Sequence, residues 1–242
     1  MFRVLLCLVA LALPVDSAQA QQQVRIRVDK PEYKIDIPAQ LYRPAGKERA
    51  PAVAIFHGCG GPGANNARMA GLLRDWGYVA LVVDSFSSRG IKDACGRNWP
   101  TQADAEKRAF DIDATGAWLN DQPFVLPTQK AFMGYSYGGG VALLRAVSRH
   151  TDNRVPSGWA AAVLVYPDCA LADSLGPQLR PQLPTMFAMA ALDDWTPVSQ
   201  CQAVIDRVVA DRGLIETHVY EGAHHSFDAL GLPVRYLPGA GR

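Results

Sequence analysis

Gly134-Tyr135-Ser136-Tyr137-Gly138 constrains the fold of this chain more than any other stretch, because of what flanks it. Residues 130–133 read as a strand and residues 141–147 as a helix. A serine between them, with glycines two positions to either side, is the pattern of a sharp strand-to-helix turn. In such a turn the backbone is strained and the hydroxyl stands exposed. The bare pattern also occurs in glycine-rich loops, so its context carries the argument. That context makes Ser136 a candidate nucleophile.

The rest of the chain repeats the alternation. Residues 24–28 and 35–42 read as an opening antiparallel pair, and residues 51–56, 78–83, 159–166, 185–190 and 215–220 as further apolar strands. Helical periodicity covers residues 66–76, 102–121 and 197–212. Continuous apolar strands alternating with helices predict a mostly parallel α/β sheet of about eight strands, covered by helices on both faces. Ligands then belong at the carboxyl ends of the strands. The Pro-rich stretch at residues 175–184 is expected to be a surface loop.

With 242 residues, 49% of them hydrophobic, the chain can bury the core of one domain. Residues 1–20 read as a cleaved signal peptide: Arg3 is the positive start, residues 4–13 form an apolar run too short to span a bilayer, and Ala18-Gln19-Ala20 is a small-x-small cleavage site. The mature domain is then residues 21–242, secreted or periplasmic. Removing Arg3 and Asp16 leaves the net charge at +1, so nothing in the charge balance points to nucleic acid, and no membrane partner is expected after cleavage. The mature part keeps Cys59, Cys95, Cys169 and Cys201. An even count in an oxidising compartment predicts two disulfides. Three pairings are possible; the positions beyond successive strand ends favour Cys59 with Cys95 and Cys169 with Cys201.

A seryl nucleophile needs a base and a group to orient that base, supplied downstream in the order acid, then histidine. The loop after residues 185–190 offers Asp193 and Asp194, and the loop after residues 215–220 offers His224 and His225. A metal site at these histidines is not expected, because neighbours in an extended segment point opposite ways and no third ligand accompanies them. No cofactor is expected either. His57 reads as a packing and hydrogen-bonding residue that shapes its loop, and His150 and His218 as solvent-facing or capping.

These segments together resemble the dienelactone hydrolase family of the α/β-hydrolase fold. The residues that carry the resemblance are His57-Gly58-Cys59-Gly60-Gly61, Asp84-Ser85-Phe86 with Arg89-Gly90, and Gly134-x-Ser136-x-Gly138-Gly139. They continue in Asp193-Asp194-Trp195-Thr196-Pro197 and Gly222-x-x-His225-x-Phe227. The resemblance selects Asp193 by its distance from Pro197 and His225 by its distance from Phe227. It implies an ester or lactone hydrolase that works through an acyl-enzyme, with the N–H groups of Cys59 and Tyr137 forming the oxyanion hole. The founding members are similar in layout but carry a cysteine nucleophile and a glutamate near the oxyanion loop. This chain has Ser136 and no glutamate between Phe56 and Pro62, which implies a general carboxylic ester hydrolase acting on small-molecule esters or lactones. A peptidase, an amidase or an acyltransferase would use the same three residues, and a binding protein on this scaffold is the non-enzymatic alternative. Arg89, Tyr135 and Trp195 are the candidates for substrate contact, Arg89 as a partner for a carboxylate or else as half of a structural ion pair. Only 18 residues, 167–184, separate the strands between which this fold often inserts a cap domain, so no cap and an open site are expected.

Overall fold

The computed structural model describes residues 21–31, 33–46, 48–96, 100–149 and 158–234. The expected signal peptide at residues 1–20 and His150 lie outside them. The chain opens with β1 (Gln21–Lys30) and β2 (Tyr33–Tyr42), paired antiparallel from Gln21 with Tyr42 through Lys30 with Tyr33. β3 (Ala50–Phe56), α1 (Ala64–Asp75), β4 (Val79–Val83), α2 (Gln102–Asn120) and β5 (Val125–Tyr135) follow. Then come α3 (Tyr137–Ala146), β6 (Val147–Arg149), β7 (Ala161–Val165), β8 (Leu179–Pro181), β9 (Thr185–Ala190), α4 (Val198–Asp206) and β10 (Ile215–Tyr220).

Eight of the strands form one sheet in the order β1-β2-β4-β3-β5-β7-β9-β10. β2 runs antiparallel to β4, and from β4 to β10 every neighbouring pair is parallel. Successive residues of the central strands point to opposite faces, and both faces are covered. Ala54, Phe56, Leu81, Phe132, Leu164 and Phe187 pack with residues of α2, α3 and α4. Val53, Ile55, Ala80, Val82 and Val165 pack with Ala70 and Leu73 of α1. Burial on two sides is why these strands read in sequence as unbroken apolar runs.

The strand order also positions the functional loops. From β3 the chain steps outward to β4, then crosses back to lay β5 on the other side of β3. The crevice that opens where strand order reverses lies between the carboxyl ends of β3 and β5. In register, Phe56 pairs with Gly134, which sets His57-Gly58-Cys59 beside Tyr135-Ser136.

Two expectations need correction. Residues 175–184 are not a surface loop: Leu179, Pro181 and Leu183 are buried, and β8 pairs antiparallel with β6, Pro181 opposite Val147. Proline is tolerated because this is a three-residue strand in a two-stranded sheet, where few N–H donors are needed. The helix expected over residues 197–212 stops at Asp206, because Val208 leaves helical geometry to bridge Leu179 and bury itself in the core. The segment between β7 and β9 adds a 3-10 turn (Cys169–Leu175) and β8, and no cap domain.

Candidate active site

Ser136 sits at the tip of the turn between β5 and α3 with φ 53° and ψ −120°, a left-handed backbone that a non-glycine residue adopts only under constraint. The constraint comes from packing and hydrogen bonds. The Ser136 N–H donates to the Val165 carbonyl at 2.9 Å, and its carbonyl accepts from Gly140 and Asp168, both at 3.0 Å. The flanking glycines are required sterically: a Cβ on Gly134 would lie 2.3 Å from the Gly138 carbonyl oxygen, and one on Gly138 would lie 2.3 Å from the His57 carbonyl oxygen.

The two downstream loops meet at this serine. His225 Nε2 lies 2.9 Å from Ser136 Oγ, and His225 Nδ1 lies 2.7 Å from Asp193 Oδ2. Asp193 is buried, whereas Asp194 is exposed. The Asp193 carboxylate is itself held: Oδ1 accepts the Trp195 and Thr196 N–H groups at 2.9 Å each, and Oδ2 accepts the Thr196 hydroxyl at 2.9 Å. Burial alone would push this carboxyl up, but the hydrogen bond and charge of His225, with the bonds from Thr196, outweigh burial and hold it below its ordinary value. The sequence reading missed Thr196. The available signal was a hydroxyl residue three positions after an aspartate, a spacing at which the aspartate accepts from backbone N–H groups ahead of it.

Opposite this relay stands the loop after β3. A Cβ on Gly58 would lie 3.4 Å from Ser136 Cβ and 3.9 Å from Ser136 Oγ, so this backbone lies directly against the nucleophile candidate. Three successive carbonyls of the loop are engaged away from the serine. The His57 carbonyl accepts from Arg108 at 2.6 Å, the Gly58 carbonyl from His57 Nδ1 at 2.7 Å, and the Cys59 carbonyl from Ala94 N–H at 2.9 Å. The Ser85 N–H donates to His57 Nε2 at 3.2 Å, which assigns the ring proton to Nδ1. A trans peptide points its C=O and N–H in opposite directions, so fixing the Gly58 carbonyl fixes the direction of the Cys59 N–H. Tyr137, whose N–H is the other expected donor, is the first residue of α3, at the end where the helix dipole favours negative charge.

His57 thus has the loop-shaping role expected of it. Burial pushes its imidazole well below the usual range, and the nearby Arg108 charge adds to the effect. The native state refuses a proton that the unfolded chain accepts below about pH 6.5. Stability should therefore fall on acidification through this window, by up to about 1.4 kcal/mol per pH unit from this group. Urea unfolding between pH 5 and 7 should show that slope in the parent and a shallower one in His57→Gln; equal slopes would contradict the assignment.

Both expected disulfides are present, Cys59–Cys95 and Cys169–Cys201. The first closes a sequence separation of 36 residues directly at the loop beside Ser136. Loop-closure entropy for that length gives about 4 kcal/mol. Cys95→Ser should lower unfolding stability by up to that amount and lower turnover as the loop loosens. Unchanged stability and unchanged turnover would show that the bridge does neither.

Comparison with known proteins adds the family. The sequence model of the dienelactone hydrolase family matches residues 37–238. The chain belongs to the dienelactone hydrolase family. No curated protein matches it in sequence. Among solved structures it is similar to a dienelactone hydrolase from Anabaena variabilis, at 21% identity and TM-score 0.64, over 88% of this chain and 91% of that one. A putative dienelactone hydrolase from Klebsiella pneumoniae is similar at 17% identity and TM-score 0.64, over 86% and 88% of the two chains. Thermogutta terrifontis esterase 2, in a form phosphoramylated by tabun, is similar at 18% identity and TM-score 0.61, over 86% of each. These likenesses establish the α/β-hydrolase fold.

Against this family background the substrate-contact candidates divide. Tyr135 and Trp195 line a cavity of about 360 Å³ in front of Ser136, together with residues 58–61 and 63–66, Tyr166 and His225. Arg89 does not line it. Its guanidinium makes a bidentate pair with Asp111 of α2, at 2.8 and 3.0 Å, and also donates to the Ser85 carbonyl. Of the two roles open to it in sequence, Arg89 takes the structural ion pair, because both of its Nη groups are already engaged by Asp111. Tyr166, not singled out in the sequence, packs its ring 4.7 Å from that of His225 and donates its hydroxyl to Asp228 at 2.7 Å. Asp228 also accepts from Asn65 of α1 at 3.0 Å, which ties the loop carrying His225 to the cavity wall. His218 is exposed and bonds Glu216 at 2.6 Å, and no cluster of three metal-ligating side chains occurs among the described residues.

Proposed function

We propose that this chain is a serine hydrolase that cleaves carboxylic esters or lactones through an acyl-enzyme, with Ser136 as nucleophile, His225 as general base and Asp193 as the orienting acid. Membership of the dienelactone hydrolase family makes it a carboxylic ester hydrolase; the assignment of roles to residues is the proposal. The observation that carries it is the relay Ser136 Oγ to His225 Nε2 at 2.9 Å and His225 Nδ1 to Asp193 Oδ2 at 2.7 Å. These distances are within reach for proton transfer and for holding the tautomer.

In the acylation step the Ser136 proton passes to His225 Nε2 as Oγ bonds to the substrate carbonyl carbon, and the carbonyl oxygen becomes an oxyanion. The N–H groups of Cys59 and Tyr137 are the donors assigned to it. Collapse of the intermediate expels the alcohol, which takes the proton from His225, and leaves an ester on Ser136. Water repeats the sequence and releases the acid. Asp193 stays ionised and stabilises the imidazolium. A cavity without a cap, walled by Tyr135, Tyr166 and Trp195, suits small or extended neutral esters that reach Ser136 from solvent. The tabun adduct of the Thermogutta esterase supports the same reading by analogy of fold.

Residues 1–20 as a removed signal, with residues 21–242 as the mature domain, form part of the same proposal. Two disulfides fit an oxidising compartment, and no described helix is long and apolar enough to cross a membrane. The test of the activity is hydrolysis of p-nitrophenyl acetate and butyrate by the folded, oxidised mature protein. Turnover above the buffer rate is expected; its absence over a panel of esters and lactones would contradict the reading.

A further inference from the structure

Arg108, on α2, is only 2% exposed and makes no ion pair among the described residues; Asp111, three residues further along the same helix, is taken by Arg89. Burial draws its guanidinium down to about 10, which leaves it cationic at neutral pH. Nε and Nη1 have no hydrogen-bond partner among the described residues. An apolar side chain of similar volume would fill this space without desolvating a charge, so packing does not account for an arginine here.

Its contacts do. Nη2 donates to the His57 carbonyl at 2.6 Å, at the head of the segment that carries Gly58 and Cys59. The guanidinium carbon stands 4.9 Å from the centre of the Tyr137 ring and 5.2 Å from that of Phe86. Phe86 in turn meets the His57 ring edge-on at 4.5 Å. One cation therefore touches the loop bearing one proposed oxyanion donor and the residue bearing the other. The two walls belong to different strand ends, after β3 and after β5, and both lie beyond the last register pair of those strands, Phe56 with Gly134. A flat guanidinium can bridge them there, because it can meet a ring and donate in its plane at once.

We propose that Arg108 is a positioning residue that holds the two arms of the oxyanion hole, residues 57–59 and Tyr137, at their working separation. It acts through them and does not touch substrate. The proposal rests on the ester-hydrolase reading above. A hole out of register weakens donors that matter in the transition state, so the loss falls on kcat and spares KM.

The test compares Arg108→Met and Arg108→Lys with the parent on p-nitrophenyl butyrate. Each kcat is expressed per active site titrated with a fluorophosphonate, so that misfolded protein does not count. Arg108→Met should lose about 10²-fold in kcat with KM within about threefold. Affinity for phenylboronic acid, whose tetrahedral adduct with Ser136 puts an oxygen in the hole, should fall in step. Arg108→Lys, which restores a cation and one donor, should recover about tenfold of the loss. A folded Arg108→Met with kcat within about threefold of the parent, or a loss carried by KM, overturns the proposal. Should Arg108→Met not fold, Arg108→Lys decides it: about tenfold lower kcat at constant KM supports it and unchanged kcat overturns it. Failure of both variants to fold assigns Arg108 to the fold alone and also overturns it. A parent with neither turnover nor adduct is a different failure, of the ester-hydrolase reading itself.

Discussion

Ser136→Ala should lose about 10⁶-fold in kcat on any ester the parent turns over, the scale on which seryl nucleophiles of this kind act. The expectation follows from the position of Oγ. It lies 2.9 Å from His225 Nε2 and against the backbone of Gly58, so the group that would attack is also the one the base and the oxyanion loop are built around. Alanine removes that oxygen and nothing else of substance. The strained φ of 53° persists, because Gly134, Gly138 and the bonds to Val165 and Asp168 impose it, so the fold should be retained. A steady-state assay with unfolding checked by circular dichroism measures both. Residual turnover within about tenfold of the parent would move the nucleophile elsewhere.

Asp193→Asn should lose about 10⁴-fold in kcat, while Asp194→Asn should stay within about threefold of the parent. Asp193 Oδ2 accepts from His225 Nδ1 at 2.7 Å and from the Thr196 hydroxyl. An amide can turn its NH₂ toward Nδ1, which forces the proton onto Nε2 and leaves no lone pair to take the Ser136 proton. Asp194 is exposed and shares none of these bonds among the described residues. Kinetics of the two variants side by side decide between neighbouring carboxylates, and the opposite ranking would reassign the acid.

What the sequence displayed and what it hid divide along a physical line. The turn at Ser136 was legible because its causes are local: glycines at fixed offsets, a strand before and a helix after. The central strands were legible because burial on both faces leaves no polar position to interrupt them. Partnerships between distant segments were not. Nothing in the sequence around Arg89 shows that α2 brings Asp111 beneath it, 22 residues away, so its two possible roles could not be separated. Arg108 sits in a helix whose charged and apolar positions show little amphipathic order, and its burial is visible only once α2 lies behind the loop after β3. Prolines at residues 177, 181 and 184 suggested an exposed loop, because the sequence gives no sign that β6 is available to pair with Leu179–Pro181. The bond from Tyr166 to Asp228 spans 62 residues and joins two strand-end loops, a distance at which residue types alone carry no signal.

The central claim is that the reacting atom is Ser136 Oγ, activated by His225. Its most direct test is intact-mass measurement and peptide mapping of the mature protein after treatment with a fluorophosphonate, beside Ser136→Ala and His225→Gln. The account predicts one adduct per chain, on the peptide that contains Ser136, absent in Ser136→Ala and strongly slowed in His225→Gln. An adduct on another residue, or equal labelling of the parent and Ser136→Ala, would contradict it.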